Sequence, residues 1–197
     1  MTAGGVDLDS AVETYVAEVL DAIETRGEVT VLAAYLLGST ATGTFDPARS
    51  DVDVVAVVNQ PLAGEARGRF LEFVSSLGCP FRALELVVYV AGAQPPDCDL
   101  NVNLTSNEGA VEKPNKPAHW FVIDAAIAQE HALPLGQDEA WSAHFDPIKA
   151  ERLEQALRAS LAWSERQPEN EFAQSNAIRC RHYLEHGEWV SKQEASR

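Results

Sequence analysis

The chain has 197 residues, of which 46% are hydrophobic, so it is long enough for one large domain or two small ones with a real core. Its formal net charge of −15 argues against non-specific nucleic-acid binding, because phosphate backbones are held by an excess of Lys and Arg. The same charge suits a cationic ligand, although acidity can also serve solubility alone.

The cysteines and the N-terminal stretch favour a cytoplasmic protein. Cys79, Cys98 and Cys180 are an odd number at scattered positions and include no Cys-x-x-Cys pair. The N-terminus is acidic and lacks the apolar core of a signal peptide, and no apolar run is long enough to span a bilayer. We therefore expect a reducing compartment and no membrane contact, while the oligomeric state stays open.

The first half of the chain predicts a sheet covered by helices. Ser10 and Glu13 form a capping box that begins a helix ending near Arg26. Valine-rich runs at 29–37 and 52–58 predict two strands of one sheet. A helix is then expected at 62–77, strands at 82–90 and 97–104, and a long loop at 105–117.

The second half changes to helical periodicity. Helices are predicted at 118–131, at 139–145 as a short piece, at 147–166 with Pro147 in the first turn, and at 171–186 ending at Gly187. The four tryptophans all lie in this half and are more typical of core anchors than of ligand platforms. The predicted fold is therefore α+β, with a mixed-sheet domain at 1–110 and a helical domain at 111–197.

Two polar pairs flank the loop between the first two predicted strands. Asp51 and Asp53 alternate with valines, so they point the same way roughly 6.6 Å apart and can share a divalent cation. Gly38 lets the backbone approach a ligand closely, and Ser39 and Ser50 can donate to phosphate oxygens. Either pair alone is more typical of an ordinary strand end, but the combination favours a nucleotide site.

A further set of polar residues lies on the next two predicted strands. Glu85 is the one acid in an otherwise apolar run. It either joins Asp51 and Asp53 in a carboxylate triad or lies at a sheet edge in water beside Arg82. The alternating polar residues Asp97, Asp99, Asn101 and Asn103 either line a substrate cleft or form the wet face of an edge strand.

The spacing of these residues resembles a known signature. Gly-Ser, a loop of about ten residues and Asp-hydrophobic-Asp are similar to the motif of the nucleotidyltransferase superfamily related to DNA polymerase β. With Glu85 in RALELVVY and the segment NAIRCRHYLEHGEWVSKQEA, the chain resembles the streptomycin and spectinomycin adenylyltransferase family. That family pairs a polymerase-β-like domain with a C-terminal helical domain.

The resemblance implies a Mg²⁺-dependent transfer of AMP from ATP to a hydroxyl of an aminoglycoside or aminocyclitol. It implies that two magnesium ions are held by Asp51, Asp53 and Glu85, and that Glu85 is the general base. Nucleotide contacts are implied for Gly38, Ser39, Ser50, Arg179 and Lys192. Acids such as Asp97, Asp99 and Glu165 are candidates for binding the ammonium groups of a cationic acceptor.

The sequence also departs from this family. Members usually continue with several helices after the VSK segment, so we expect a shortened helical domain, and residues 97–115 diverge from the drug-contacting region. Two alternatives therefore stay open: a transferase acting on a protein, and a catalytically silent nucleotide-binding or antitoxin-type module. His182, Glu185 and His186 spell an H-x-x-E-H zinc motif, which is discounted because no third ligand is evident.

Overall fold

The structure is a computed structural model that describes residues 10–105, 108–136 and 140–190. The helices are α1 (Ser10–Gly27), α2 (Gly38–Ala41), α3 (Gly64–Leu77), α4 (Ala118–His131), a 3-10 turn (Trp141–Ala143), α5 (Ala150–Glu165) and α6 (Glu171–His186). The strands are β1 (Val31–Leu37), β2 (Val52–Val58), β3 (Ala83–Val90), β4 (Leu100–Thr105), β5 (Gly109–Glu112) and β6 (Leu133–Leu135). The predicted α+β class, a mixed sheet flanked by helices, is confirmed.

The strands described form one sheet in the order β5-β4-β3-β2-β1-β6. β2 and β3 run parallel, and every other neighbouring pair is antiparallel. The parallel pair needs a crossover, which α3 supplies between β2 and β3. The strands that carry the predicted acids, β2 and β3, are thus direct neighbours in the middle of the sheet.

One face of the sheet packs against α1 and α3 and forms the main core. Alternate residues of β2 and β3, such as Val52, Val54, Leu84 and Leu86, are at most 1% exposed on this face. The helices contribute buried side chains at helical spacing, among them Val12, Val16, Val19 and Ile23 from α1 and Phe70 and Val74 from α3. On β2 and β3 this face is apolar throughout.

The opposite face is covered over part of its area by four aromatic side chains, which we call the aromatic cap: Tyr35, Tyr89, Trp141 and Phe145. The rings of Trp141 and Phe145 stack at 4.2 Å, and Tyr35 and Tyr89 each contact one of them edge-on with ring centroids 5.2 Å apart. The Tyr35 hydroxyl also donates to the Ala140 carbonyl at 3.2 Å. The cap holds the segment after β6 against the sheet.

The chain divides into two compact units. The first takes the described residues up to Asn115 and also Ala128–Asp146, and the second takes Lys116–Ile127 and the described residues from Pro147 onward. This division differs from the predicted boundary at 110/111. The chain returns to the first unit because β6 pairs with β1, through Leu133 to Leu135 opposite Leu36 to Ala34.

The second unit is a small helical cluster. α5 and α6 contribute Leu153, Ala156, Leu157 and Cys180 to its core, together with Val122 and Ile123 of α4. Between α5 and α6 the buried Asn176 side chain donates to the hydroxyls of Ser160 and Ser164, each at 2.8 Å. Asn170 caps α6 by accepting from the Ala173 amide at 3.1 Å.

Several predicted elements have the observed bounds, notably β2, α4 and α6 with Gly187 in a left-handed conformation after its last turn. Two short strands were missed, because β5 lies in the predicted loop and β6 follows α4 directly. The predicted helix at 147–166 begins only at Ala150, since the preceding chain is extended and places Ile148 against the second core. None of the described helices combines the length and apolar character that crossing a membrane requires.

Candidate active site

A row of polar side chains crosses three neighbouring strands on the face that carries the aromatic cap. Asp53 of β2 is in register with Glu85 of β3, and Glu85 is in register with Asn103 of β4. Strands are about 4.8 Å apart and paired residues point to the same face, so these side chains are direct neighbours. β3 lies between β2 and β4, so Glu85 does not lie at a sheet edge.

The Gly-Ser turn lies against the first acid of this row. Leu37, the last residue of β1, is in register with Asp53, and the chain then turns into α2 at Gly38. Gly38 has φ of 59°, and a Cβ at this position would lie 2.2 Å from Oδ2 of Asp53. Only glycine therefore allows this backbone to approach the carboxylate. The close approach that the structure shows at Gly38 is to Asp53, and the predicted approach to a ligand stays a prediction.

The loop before β2 is shaped by Asp46. Its Oδ1 accepts from the Ala48 amide at 3.0 Å, and its carbonyl accepts from the Ser50 amide at 2.8 Å. The Ser50 hydroxyl in turn accepts from the Asp46 amide at 3.1 Å. A hydroxyl that accepts one hydrogen bond can still donate its own proton, so Ser50 keeps the donor that its predicted phosphate contact requires.

Asp51 forms an ion pair that the sequence did not indicate. Arg82 donates from Nε to Oδ1 of Asp51 at 2.7 Å and from Nη2 to Oδ2 at 2.6 Å, a two-point contact. These hydrogen bonds raise the pKa of the Arg82 guanidinium against a smaller lowering by burial, and the charges of Glu85 and Asp53 add to the increase. Arg82 therefore lies within the electrostatic reach of all three predicted metal ligands.

The carboxylates of this row have the chemistry that a magnesium site needs. Mg²⁺ is usually bound by one or two carboxylates together with substrate phosphates, and Asp53 and Glu85 are adjacent carboxylates of this kind. Within the described ranges, no three His, Cys, Asp or Glu side chains are grouped closely enough to hold a metal ion. Asp51 can join Asp53 and Glu85 as a third ligand only if it shares or releases Arg82.

The acids proposed for the acceptor differ in their surroundings. Asp97 is exposed after β3, in the turn before β4. Asp99 accepts from the Leu62 amide at 3.0 Å and lies 3.7 Å from Arg67, which also binds Glu112 at 2.6 Å. The Asp99 carboxylate thus fixes the start of α3 and stands apart from the row formed by Asp53, Glu85 and Asn103. The contacts favour a structural role for Asp99 over the predicted substrate contact.

The predicted residues of the second unit have their own partners. Arg179 is half-buried on α6 and donates from Nε to the Val190 carbonyl at 2.9 Å. Burial lowers the pKa of Arg179, and the charge of Asp124 counteracts this. Glu165 is exposed and pairs with Arg181 at 3.2 Å. Lys192 lies outside the described residues.

The H-x-x-E-H segment lies on α6 of the same unit. The rings of His182 and His186 are 4.6 Å apart, and Glu185 is 3.8 Å from His186. No third ligand groups with them among the residues described, so nothing in the geometry supports the zinc motif.

The part of the chain that carries Asp53 and Glu85 matches a known type of domain. A family profile described as "Nucleotidyltransferase domain" matches residues 16–85, a range that includes Gly38, Ser39, Asp51 and Asp53 and ends at Glu85. Residues 16–85 are therefore similar to a nucleotidyltransferase domain. No curated protein sequence matches the chain as a whole or in part.

The fold agrees with this domain. The chain is similar in structure to spectinomycin adenyltransferase AAD(9) from Enterococcus faecialis, whose crystal structure was determined with ATP and spectinomycin. The TM-score is 0.72 at 13% sequence identity, over 94% of this chain and 80% of that chain. At this identity the likeness establishes the fold alone: a polymerase-β-like nucleotidyltransferase domain followed by C-terminal helices.

Proposed function

We propose that this nucleotidyltransferase transfers AMP from ATP to a hydroxyl of a cationic small molecule, of the aminoglycoside or aminocyclitol class. The observation that carries the proposal is the register of Asp53 with Glu85 on the two central strands, beside the Gly38 turn. A structural neighbour of the same fold was crystallised with ATP and spectinomycin, which supports this choice of nucleotide and acceptor class.

In the proposed reaction the acceptor hydroxyl oxygen bonds to the α-phosphorus of ATP. The bond from that phosphorus to the oxygen bridging to the β-phosphate breaks, and pyrophosphate leaves. Glu85 takes the proton of the attacking hydroxyl as the general base. It suits this role because it lies on an interior strand, in register with Asp53.

The other predicted site residues bind the nucleotide or its metal ions in this proposal. Asp51, Asp53 and Glu85 would hold two Mg²⁺ ions, which when bound neutralise the charge that develops on the attacking and leaving oxygens. The amide and hydroxyl of Ser39 and the hydroxyl of Ser50 donate to phosphate oxygens, next to the close backbone approach at Gly38. Arg179 and Lys192 remain proposed phosphate partners because they match positions of the resembled family, and their positive charge suits this role.

The acceptor is proposed to be cationic because the chain carries a net charge of −15. Asp97 and Glu165 are exposed acids that can bind ammonium groups, although Glu165 must then share its carboxylate with Arg181. Asp99 is the weakest of the three candidates because Leu62 and Arg67 already hold it.

Pyrophosphate release tests the proposal directly. The protein is mixed with ATP, Mg²⁺ and one member at a time of a panel of aminoglycosides and aminocyclitols. We expect release that depends on the acceptor, is lost in Asp53→Asn and is retained in Asp21→Asn, which makes the same change at an exposed position of α1. Mass spectrometry of the acceptor should find one added AMP.

Two other outcomes would redirect the interpretation. Mg-ATP that raises the melting temperature without any release would favour the catalytically silent nucleotide-binding module. Release without a small-molecule acceptor but with labelling of a protein in the reaction would favour a transferase acting on proteins. An equal Mg-ATP shift in wild type and in the Asp51→Asn, Asp53→Asn double variant would contradict the metal assignment.

A further inference from the structure

Arg82 and Asp51 join the starts of the two central strands. Asp51 directly precedes β2, and Arg82 directly precedes β3, its parallel neighbour. The guanidinium contacts both carboxylate oxygens, at 2.7 and 2.6 Å, in the planar two-point geometry that only arginine provides. The contact therefore lies at the same end of the strands as Asp53 and Glu85.

This end of the sheet needs a positive charge. Asp51, Asp53 and Glu85 are close in sequence or in strand register, and like charges on neighbouring strand positions destabilise a sheet. Arg82 interacts with all three carboxylates, most strongly with Asp51. In the protein without metal, its guanidinium offsets the charge that a divalent cation would otherwise neutralise.

The two partners differ in how firmly they are held. The Asp51 side chain is 14% exposed, whereas the Arg82 side chain is 60% exposed. The carboxylate is thus held by its surroundings, while the longer and more exposed guanidinium side chain has solvent into which it can move. If one partner leaves this ion pair, it is Arg82.

We propose that Arg82 is an internal counter-ion that occupies Asp51 in the metal-free protein and is displaced from it when a divalent cation binds to the carboxylates. This proposal rests on the metal site of the proposed function. Arg82 stabilises the folded protein before metal binding and competes with the metal for Asp51. It thereby weakens the binding of a free divalent cation.

The test is direct binding of Mn²⁺, as a stand-in for Mg²⁺, measured by calorimetry or electron paramagnetic resonance without nucleotide. We expect Arg82→Gln to bind Mn²⁺ about ten-fold more tightly than wild type, the effect of removing one unit charge roughly 6 Å from a divalent ion in water-like surroundings. Arg82→Lys keeps the charge and should stay within about three-fold of wild type. Arg69→Gln makes the same charge change on α3, where Arg69 pairs with Glu28 and Glu65, and should have no effect.

Thermal unfolding gives a second readout. Without metal, Arg82→Gln should lower the melting temperature in the wild-type background but not in Asp51→Asn, because the ion pair is already absent there. Saturating Mn²⁺ should remove the difference between Arg82→Gln and wild type, or reverse it.

The outcomes separate the counter-ion from the metal site itself. Suppose that Asp53→Asn removes Mn²⁺ binding, but Arg82→Gln leaves it unchanged or weakens it. This result would overturn the counter-ion role and leave the metal site in place. Binding that is insensitive to Asp53→Asn, or absent from every variant, would overturn the metal site and the counter-ion role together.

Discussion

The two faces of the sheet are built from the same strands but from different chemistry. Toward α1 and α3, β2 and β3 present Val52, Val54, Leu84 and Leu86, each at most 1% exposed. Toward the other side the same strands present Asp53 and Glu85, half-buried and next to each other. A single residue step along either strand therefore changes the surroundings from dry core to acidic site.

The difference indicates how a cluster of like charges is tolerated. Neighbouring carboxylates lower the stability of a sheet, and a Gly38 turn with positive φ adds strain. The apolar face offsets both, because each fully buried large side chain contributes about 1.5–3 kcal/mol. We therefore expect substitutions on the acidic face to change activity, and those on the apolar face to change stability.

The largest effect is expected for Glu85→Gln. Removing a general base typically lowers the rate 10²–10⁴-fold, and the amide keeps the size of the side chain. Because the change also removes a charge beside Asp53, the melting temperature should not fall. Steady-state kinetics of AMP transfer and thermal unfolding of the same preparation measure both quantities.

Two results would contradict the prediction for Glu85→Gln. If Glu85→Gln unfolds the protein in step with its loss of activity, Glu85 is a structural residue. If it keeps the wild-type rate, the general base is elsewhere.

The next effect is expected on the apolar face, for Leu86→Ala. Leu86 is fully buried between Val54 of β2 and Val102 of β4. Truncation of such a leucine costs about 2–5 kcal/mol of unfolding free energy. Denaturant titration measures this loss, and the remaining folded protein should transfer AMP at an unchanged rate.

Leu32→Ala is the matched control, because Leu32 lies on β1 of the same sheet but is 44% exposed. Its unfolding free energy should change by about 0.5 kcal/mol or less. Equal losses in the two variants would mean that burial on the helix-covered face does not dominate the stability of the sheet.

Strand β2 and several helices could be predicted from the sequence because their hydrophobic patterns are local. The Val-rich run at β2 and the helical spacing in α4 and α6 have the predicted bounds. β5 and β6 could not be found this way, since they are four and three residues long and β6 contains Pro134. Their pairing with β4 and β1 is decided by tertiary contacts, which also move residues 128–146 into the first unit.

The residues of the acidic site could be predicted from the sequence only in part, for a related reason. Asp51 and Asp53 follow from their spacing, and Glu85 from its charge in an apolar run. Arg82 binds Asp51 across 31 positions of sequence, and the register that places Asn103 beside Glu85 depends on the order of the strands. Neither contact has a local pattern that would reveal it.

The smallest stability difference between a variant and its control is expected where the Gly38 turn meets the acidic row, in a comparison of Gly38→Ala with Gly64→Ala. Both glycines have positive φ, 59° and 55°, so alanine strains each backbone by a similar amount, about 1–2 kcal/mol. A Cβ at Gly64 meets nothing within 4 Å, whereas at Gly38 it would lie 2.2 Å from Oδ2 of Asp53. The difference between the unfolding free energies of the two variants cancels the shared backbone strain. What remains is the cost of the contact with Asp53.

Gly38→Ala should therefore be less stable than Gly64→Ala by about 1–3 kcal/mol, the usual cost of forcing an extra carbon into a packed site. It should also lose AMP transfer, because the Asp53 carboxylate must move away from Glu85 to admit the methyl group. Combining Gly38→Ala with Asp53→Ala, which removes the carboxylate from the clash, should restore stability but not activity. Equal stability of Gly38→Ala and Gly64→Ala would instead mean that the turn yields freely, and that the glycine is needed for its backbone conformation rather than for its contact with the acidic face.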